Sequence, residues 1–301
     1  MQRIILTGPT ASGKGSLAVE LARKTNGEII SVDSMKVFRG MDVGTAKPSD
    51  EVRRAIPIHL IDIADPWEDF SVGRYVPLAL EVLNRIEQCG GRAILAGGTA
   101  MYVNALCEGF FEGPEADWEL RDRLNVAVTS EGLEALHKEL AEGDPEAALK
   151  IHPNDQRRIV RALEVLRLTG RPLSEQWRES SLRLEPGTYK IFGIKWEREE
   201  LYRRINGRVE RMVERNLFDE ARKLMAQKRP LSRCASQCIG YKEIFEGLPQ
   251  GVPEDVIVER IQRHTRRFAK QQLVWFRRFP IEWIDPDDVG TMAKRVLDAA
   301  E

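Results

Sequence analysis

A short apolar run, Arg3–Thr7, leads directly into Gly8-Pro9-Thr10-Ala11-Ser12-Gly13-Lys14, which opens an amphipathic stretch over residues 17–24 with Leu17, Ala18, Leu21 and Ala22 on one side. Strand, glycine-rich turn and helix in that order satisfy the phosphate-loop pattern G-x-x-x-x-G-K in the context the pattern needs. The glycines let backbone N–H groups point inward, the helix N-terminus adds partial positive charge, and Lys14 adds a full one. Residues Gly8, Pro9, Thr10, Ala11, Ser12, Gly13, Lys14, Gly15 and Ser16 are therefore the candidate diphosphate-binding set. A turn that merely joins strand to helix is the plainer alternative. Position 15 departs from nucleoside triphosphatases, which place a Ser or Thr after the lysine to hold magnesium. Here Gly15 is followed by Ser16. Either Ser16 or Ser12 serves the metal, or Mg²⁺ leans on phosphate and water alone, as it commonly does.

The same alternation continues along the chain. Residues 28–32 (EIISV), 58–63 (IHLIDI) and 92–96 (RAILA) read as buried strands, with a helix over 74–87. This pattern predicts an α/β fold: a phosphate-loop-type parallel sheet core covered on both faces, with ligands at the strand C-termini. Near residue 110 the composition changes, and residues 112–146 hold 11 acids and 3 bases. Helical patterns follow over 118–128, 131–141 and 155–169, between the turn signals Gly113-Pro114 and Pro186-Gly187. We read residues 112–187 as an inserted all-helical subdomain. Residues 1–111 and 188–301 form the core, which resumes with a strand over 189–196 and helices over 198–215 and 254–278.

The chain has 301 residues, with 46 Lys plus Arg against 47 Asp plus Glu and a formal charge of −1. Its 42% hydrophobic content suffices for a core and argues against disorder. No apolar run approaches the ~18 residues a membrane helix needs. A soluble cytoplasmic protein is expected, acting as a monomer. Four scattered cysteines, Cys89, Cys107, Cys234 and Cys238, make no disulfide framework, and with the four histidines they show no zinc spacing. The balanced total hides a layout. Residues 1–110, 111–187 and 188–301 carry −1, −5 and +5. Phosphate binding depends on local cationic density, so a nucleic-acid partner is not excluded.

After the second strand comes Asp33, at a strand C-terminus beside the phosphate loop. A carboxylate there can ligate metal, bind ribose, act as a base, or simply cap the turn. Thr99, in the Gly97-Gly98-Thr99 turn, can cap the helix that follows.

GPTASGK, DSMKVFRGMDVGTAKP, IHLIDI, AGGTAMYVNAL, HPNDQRRIVRALEV, QCIGYKE and RRFAKQQLVWFRR, in this order over residues 4–278, closely resemble the tRNA dimethylallyltransferases of the compact bacterial type. The resemblance implies dimethylallyl diphosphate in the phosphate loop with Mg²⁺, and transfer of its prenyl group to N6 of adenosine 37 in tRNA. Asp33 matches the family's base. Lys14, Thr99 and Arg208 match positions that stabilise the departing diphosphate or hold the adenine, although Arg208 shares a helix with Arg203, Arg204, Arg211 and Arg215 and could be a solvated face. The resemblance further implies tRNA contacts from Asp33, Ser34, Met35, Lys36 and Thr99, from Arg121, Arg157, Arg158, Ile159, Val160 and Arg161, and from Gln237, Cys238, Ile239, Gly240, Tyr241 and Lys242. Lys36 and Phe38 replace a common glutamine and the usual tyrosine. Beyond the resemblance, residues 260–281 contain no acid and seven bases, Arg260, Arg263, Arg266, Arg267, Lys270, Arg277 and Arg278. A basic helix interleaved with aromatics suits an RNA groove or an amphipathic core helix with a basic outer face. A small-molecule or nucleotide kinase, and a non-catalytic tRNA-binding module, are the rival functions.

Overall fold

A computed structural model describes residues 2–110, 113–179 and 182–301 of the chain. Two compact units emerge, one of residues up to Glu108 plus Leu184–Glu301, the other Gly109–Arg183. The expected border between residues 111 and 112 lies outside the described residues. At its far end the insert is shorter than the turn signals suggest. Leu184 is buried and its N–H donates to Leu106 O at 2.7 Å, so the core resumes before Pro186-Gly187.

In chain order the first unit begins with β1 (Arg3–Thr7), α1 (Lys14–Thr25), β2 (Glu28–Ser31), α2 (Asp50–Ala55), β3 (Ile58–His59), α3 (Val72–Gln88), β4 (Ala93–Ala96) and α4 (Ala100–Glu108). The second unit holds α5 (Trp118–Glu131), α6 (Leu133–Gly143), α7 (Pro145–Lys150), α8 (Gln156–Thr169) and α9 (Leu173–Glu179). The first then resumes with β5 (Tyr189–Ile194), α10 (Arg198–Glu214), α11 (Leu217–Met225), α12 (Tyr241–Gly247), α13 (Glu254–Phe276), β6 (Ile281–Ile284) and α14 (Val289–Ala300).

Six parallel strands form one sheet in the order β3-β2-β4-β1-β5-β6. Ile4, Ile5 and Leu6 of β1 are buried, the near-continuous apolar run expected of a strand covered on both faces. Ile5 pairs with Leu95 on one side and Ile191 on the other, which brings the C-terminal ends of β1, β2 and β4 to one edge. One core cluster packs Leu17, Leu21, Met292 and Val296 of α1 and α14 against Leu6, Ile94 and Phe192. A second joins α10 and α13 through Leu201, Ile205 and Ala269, with Ala11 of the phosphate loop and Trp196 packed on it. Among the described residues no helix is long and apolar enough to cross a membrane.

Three expectations need correction. The strand expected over 58–63 stops at His59, because Leu60 and Asp62 adopt left-handed φ values of 60° and 56°. The Asp62 carboxylate is held by Lys47 Nζ at 2.5 Å and by Arg53 at 2.7 Å, and Ile63 N–H donates to Val37 O at 2.8 Å. Loop anchoring, not sheet pairing, therefore decides that segment. The first helix starts at Lys14, earlier than its apolar stripe, because Gly13 (φ 96°) is the N-cap. The insert has five helices among its described residues where three were expected. Buried Asp144 makes the additional ones possible, accepting from Ala147 N at 3.0 Å and Ser174 N at 2.8 Å.

Candidate active site

The phosphate loop turns through three left-handed residues, Gly8 (φ 128°), Ala11 (φ 62°) and Gly13 (φ 96°). Ala11 pays a steric cost there that glycine would not, and the surroundings hold it in place. Arg204 Nε donates to Ala11 O at 3.0 Å, and Trp196 Nε1 donates to Ser12 O at 2.8 Å. The Arg204 guanidinium lies over the Trp196 ring, 4.2 Å from its centroid. Thr10 N–H donates to Gln272 Oε1 at 2.8 Å, and Lys14 Nζ donates to Pro9 O at 3.0 Å. Gly15 and Ser16 sit exposed on the first turn of α1.

The turn after β4 meets this loop. Thr7 Oγ1 donates to Gly97 O at 3.0 Å. A methyl at Gly97 would fall 1.9 Å from Val32 O, so only glycine lets the two strand ends pass. At Gly98 a methyl would lie 3.3 Å from Lys14 Nζ and 3.3 Å from Gly8 O. Thr99 does more than cap a helix. Its Oγ1 accepts from Ser34 N–H at 2.9 Å and donates to Ser34 Oγ at 3.3 Å, joining the ends of β4 and β2.

Asp33 closes the arrangement. Its Oδ1 accepts from Met35 N–H at 3.0 Å and Lys36 N–H at 3.3 Å, and Oδ2 takes neither bond. Behind it Tyr75 and Tyr102 stack with centroids 4.0 Å apart, and Tyr75 OH donates to Ser31 O at 3.0 Å. Lys14, Lys36 and Arg208 crowd around this one carboxylate. Burial and the repulsion of Arg208 lower Lys14 to about 7, with Asp33 opposing the shift. Burial lowers Lys36 and Arg208 as well, again opposed by Asp33. The cleft is thus short of negative charge. An anion brought to it would restore the charged form of these cations, which is what a diphosphate site requires.

The loop after Asp33 is anchored from two sides. Lys47 is buried and donates to Phe38 O and Asp42 Oδ1, both at 2.6 Å, in addition to Asp62. Glu220 of α11 accepts from the N–H groups of Asp42 (3.0 Å), Val43 (2.9 Å) and Gly44 (3.3 Å), and from Tyr241 OH.

The residues expected to face RNA divide by environment. Tyr241 is fully buried, and its ring occupies the space a methyl at Gly44 would need, so its side chain supports the loop and does not face a ligand. Cys238 is buried, and burial together with Asp33 raises its thiol well above the ordinary range. Gly240 is buried, Ile239 and Lys242 are partly buried, and Gln237 is exposed and bonded to Lys242. In the second unit Ile159 and Val160 point into the helical core. Arg121 and Arg161 both bind the buried carboxylate of Glu164, at 2.8 and 2.5 Å, while Arg157 and Arg158 are exposed. Sequence reading missed Gln272, Arg204, Trp196, Glu220 and the Tyr75–Tyr102 pair. Gln272 and Tyr102 lay within motifs that carried the resemblance, but an amide in a basic helix and a tyrosine in an apolar one give no local signal.

The donor set suits a hydrated Mg²⁺ better than a protein cage. Among the described residues no three His, Cys, Asp or Glu side chains gather to hold a metal. The Ser12 hydroxyl is buried without a hydrogen-bond partner, and Asp33 follows β2, separated from β1 in the sheet by β4. A hydroxyl with phosphate oxygens and water suits Mg²⁺, which keeps several waters and leans on phosphate.

The family model described as IPP transferase matches residues 36–279. The tRNA dimethylallyltransferase of Halalkalibacterium halodurans is 45% identical, over 98% of this chain and 94% of its own length. That of Geobacter metallireducens is 46% identical over 94% of this chain and 92% of its own. Among solved structures, the tRNA isopentenylpyrophosphate transferase of Bacillus halodurans aligns with a TM-score of 0.68 and 40% identity, covering 100% of this chain and 95% of that one. A eukaryotic dimethylallyltransferase acting on tRNA aligns with a TM-score of 0.80 and 27% identity, over 99% of this chain and 77% of that one. The chain belongs to the IPP transferase family.

Proposed function

We propose that this chain transfers a dimethylallyl group from dimethylallyl diphosphate to N6 of adenosine 37 in tRNAs reading codons that start with U, releasing diphosphate. The observation that carries the reading is the meeting of a phosphate loop, three partly buried cations and one carboxylate at a single sheet edge. The donor's diphosphate occupies Gly8 to Ser16, facing the loop amides and Lys14. As the N6–carbon bond forms, the bond from the allylic carbon to the diphosphate oxygen breaks. An exocyclic amine is a weak nucleophile because its lone pair is delocalised, so Asp33 takes the N6 proton. Lys14 and Arg208 balance the charge gathering on the leaving group, prearranged as such sites require. Mg²⁺ would be held by diphosphate oxygens with Ser12 or Ser16 and would neutralise part of that charge.

The adenine must leave the anticodon stack to reach Asp33. Ser34, Met35, Lys36 and Thr99 line the place it would enter, and Gln237 to Lys242 back that place through their main chain. Arg157 and Arg158 grip the anticodon backbone, and Arg121 and Arg161 are held by Glu164 to present the same face. The protein works as a cytoplasmic monomer. Asp33→Ala tests the assignment: transfer should fall by about 10²–10⁴ while tRNA affinity stays within about twofold. Equal loss of binding and turnover would make Asp33 a structural cap.

A further inference from the structure

Gln272 is buried at 5% exposure near the end of α13, a helix whose other polar residues are all exposed or partly exposed. Both ends of its amide are used: Oε1 accepts from Thr10 N–H at 2.8 Å and Nε2 donates to Gly98 O at 2.7 Å. Only this orientation satisfies both partners, because rotating the amide would set donor against donor and acceptor against acceptor. The two partners belong to different turns, one following β1 and the other β4. One side chain therefore spans the loop that cradles phosphate and the turn that carries Thr99. Gly98 is shaped to this contact, since a methyl there would lie 2.6 Å from Gln272 Nε2. The neighbours Ala269 and Leu273 pack on α10 below the loop, so the tie is fixed to a rigid helix pair. An apolar residue would fill the same space but would leave Thr10 N–H and Gly98 O without their partner.

We propose that Gln272 is a positioning residue that holds the phosphate loop and the Gly98-Thr99 turn in register, setting the donor diphosphate against the acceptor side of the site. This rests on the function proposed above. Gln272→Met keeps length and volume and removes both bonds. We expect inorganic diphosphate to bind at least about tenfold more weakly, the KM for dimethylallyl diphosphate to rise, and kcat to fall about tenfold, with tRNA affinity within about twofold of wild type. A role in packing alone predicts a lower melting temperature with these constants unmoved well below it. Should Gln272→Met fail to fold, Gln272→Asn carries the same comparison, because it adds no charge and its amide is one methylene too short to reach both Thr10 N–H and Gly98 O. Diphosphate affinity, donor KM and kcat all within twofold of wild type would overturn the proposal. A wild-type protein that transfers no prenyl group would remove the proposed function, and the diphosphate affinities would still decide Gln272.

Discussion

Lys14 offers the sharpest quantitative consequence of the site. Burial and Arg208 lower it from 10.5 to about 7 in the free protein, a penalty of about 5 kcal/mol on the charged form. The unfolded chain therefore holds more protons between those two values, and the contribution of Lys14 to stability rises as pH rises from about 7 to 10.5. A bound diphosphate reverses the penalty. At pH 8 about nine-tenths of the side chain is neutral in the free protein, so binding takes up about 0.9 proton at Lys14, against about 0.1 at pH 6. From pH 7 to 9 the charged fraction falls about fiftyfold, and the Lys14 share of diphosphate affinity falls with it. Calorimetric titration of inorganic diphosphate in buffers of contrasting protonation enthalpy measures the proton count. Taking the difference between wild type and Lys14→Met cancels the titration of the ligand itself. A difference near 0.9 at pH 8 that shrinks at pH 6 is expected. Equal counts for the two proteins at pH 8, or a larger difference at pH 6, would refute the electrostatic reasoning.

Other consequences are simpler. A methyl added at Gly15 meets nothing within 4 Å, so Gly15→Thr should fold normally and lower the Mg²⁺ concentration for half-maximal transfer in a magnesium titration. Arg157→Glu with Arg158→Glu should weaken tRNA binding at least about tenfold and flatten its salt dependence by about two phosphate contacts, leaving the KM for the prenyl donor unchanged. Ala11→Gly removes the strain of a φ of 62°, and about 1 kcal/mol of relief should largely offset the added freedom of the unfolded chain. Its melting temperature should therefore stay within a few degrees of wild type, with diphosphate affinity testing whether the loop keeps its shape.

What the sequence made legible was local. The apolar run ahead of Gly8 and the stripe after Lys14 define strand, loop and helix without reference to the rest of the chain, and the structure keeps all three. Asp33 and Thr99 could be placed at one edge because parallel strands bring their C-termini together. What distant partners decide was not legible. Residues 58–63 look like a strand until Lys47 and Arg53 claim Asp62. Tyr241 looks like a ligand contact until its ring is found against Gly44 and its hydroxyl on Glu220. Nothing in the spacing of Arg121 and Arg161, both expected to contact tRNA, announces that buried Glu164 binds the two of them. The Arg204–Trp196 stack and Gln272 act on the phosphate loop from more than 180 residues away in the chain, and neither has a spacing that could announce it.

The central claim is the identity of the group transferred. Purified protein given unmodified tRNA, Mg²⁺, and either dimethylallyl diphosphate labelled in the prenyl group or ATP labelled in the γ-phosphate settles it, with mass analysis locating any label that reaches the RNA. Prenyl label on N6 of adenosine 37, with one diphosphate released per transfer and no phosphate label in any acceptor, is the expected result. Phosphate transfer without prenyl transfer, or tRNA binding with no diphosphate released, would contradict it.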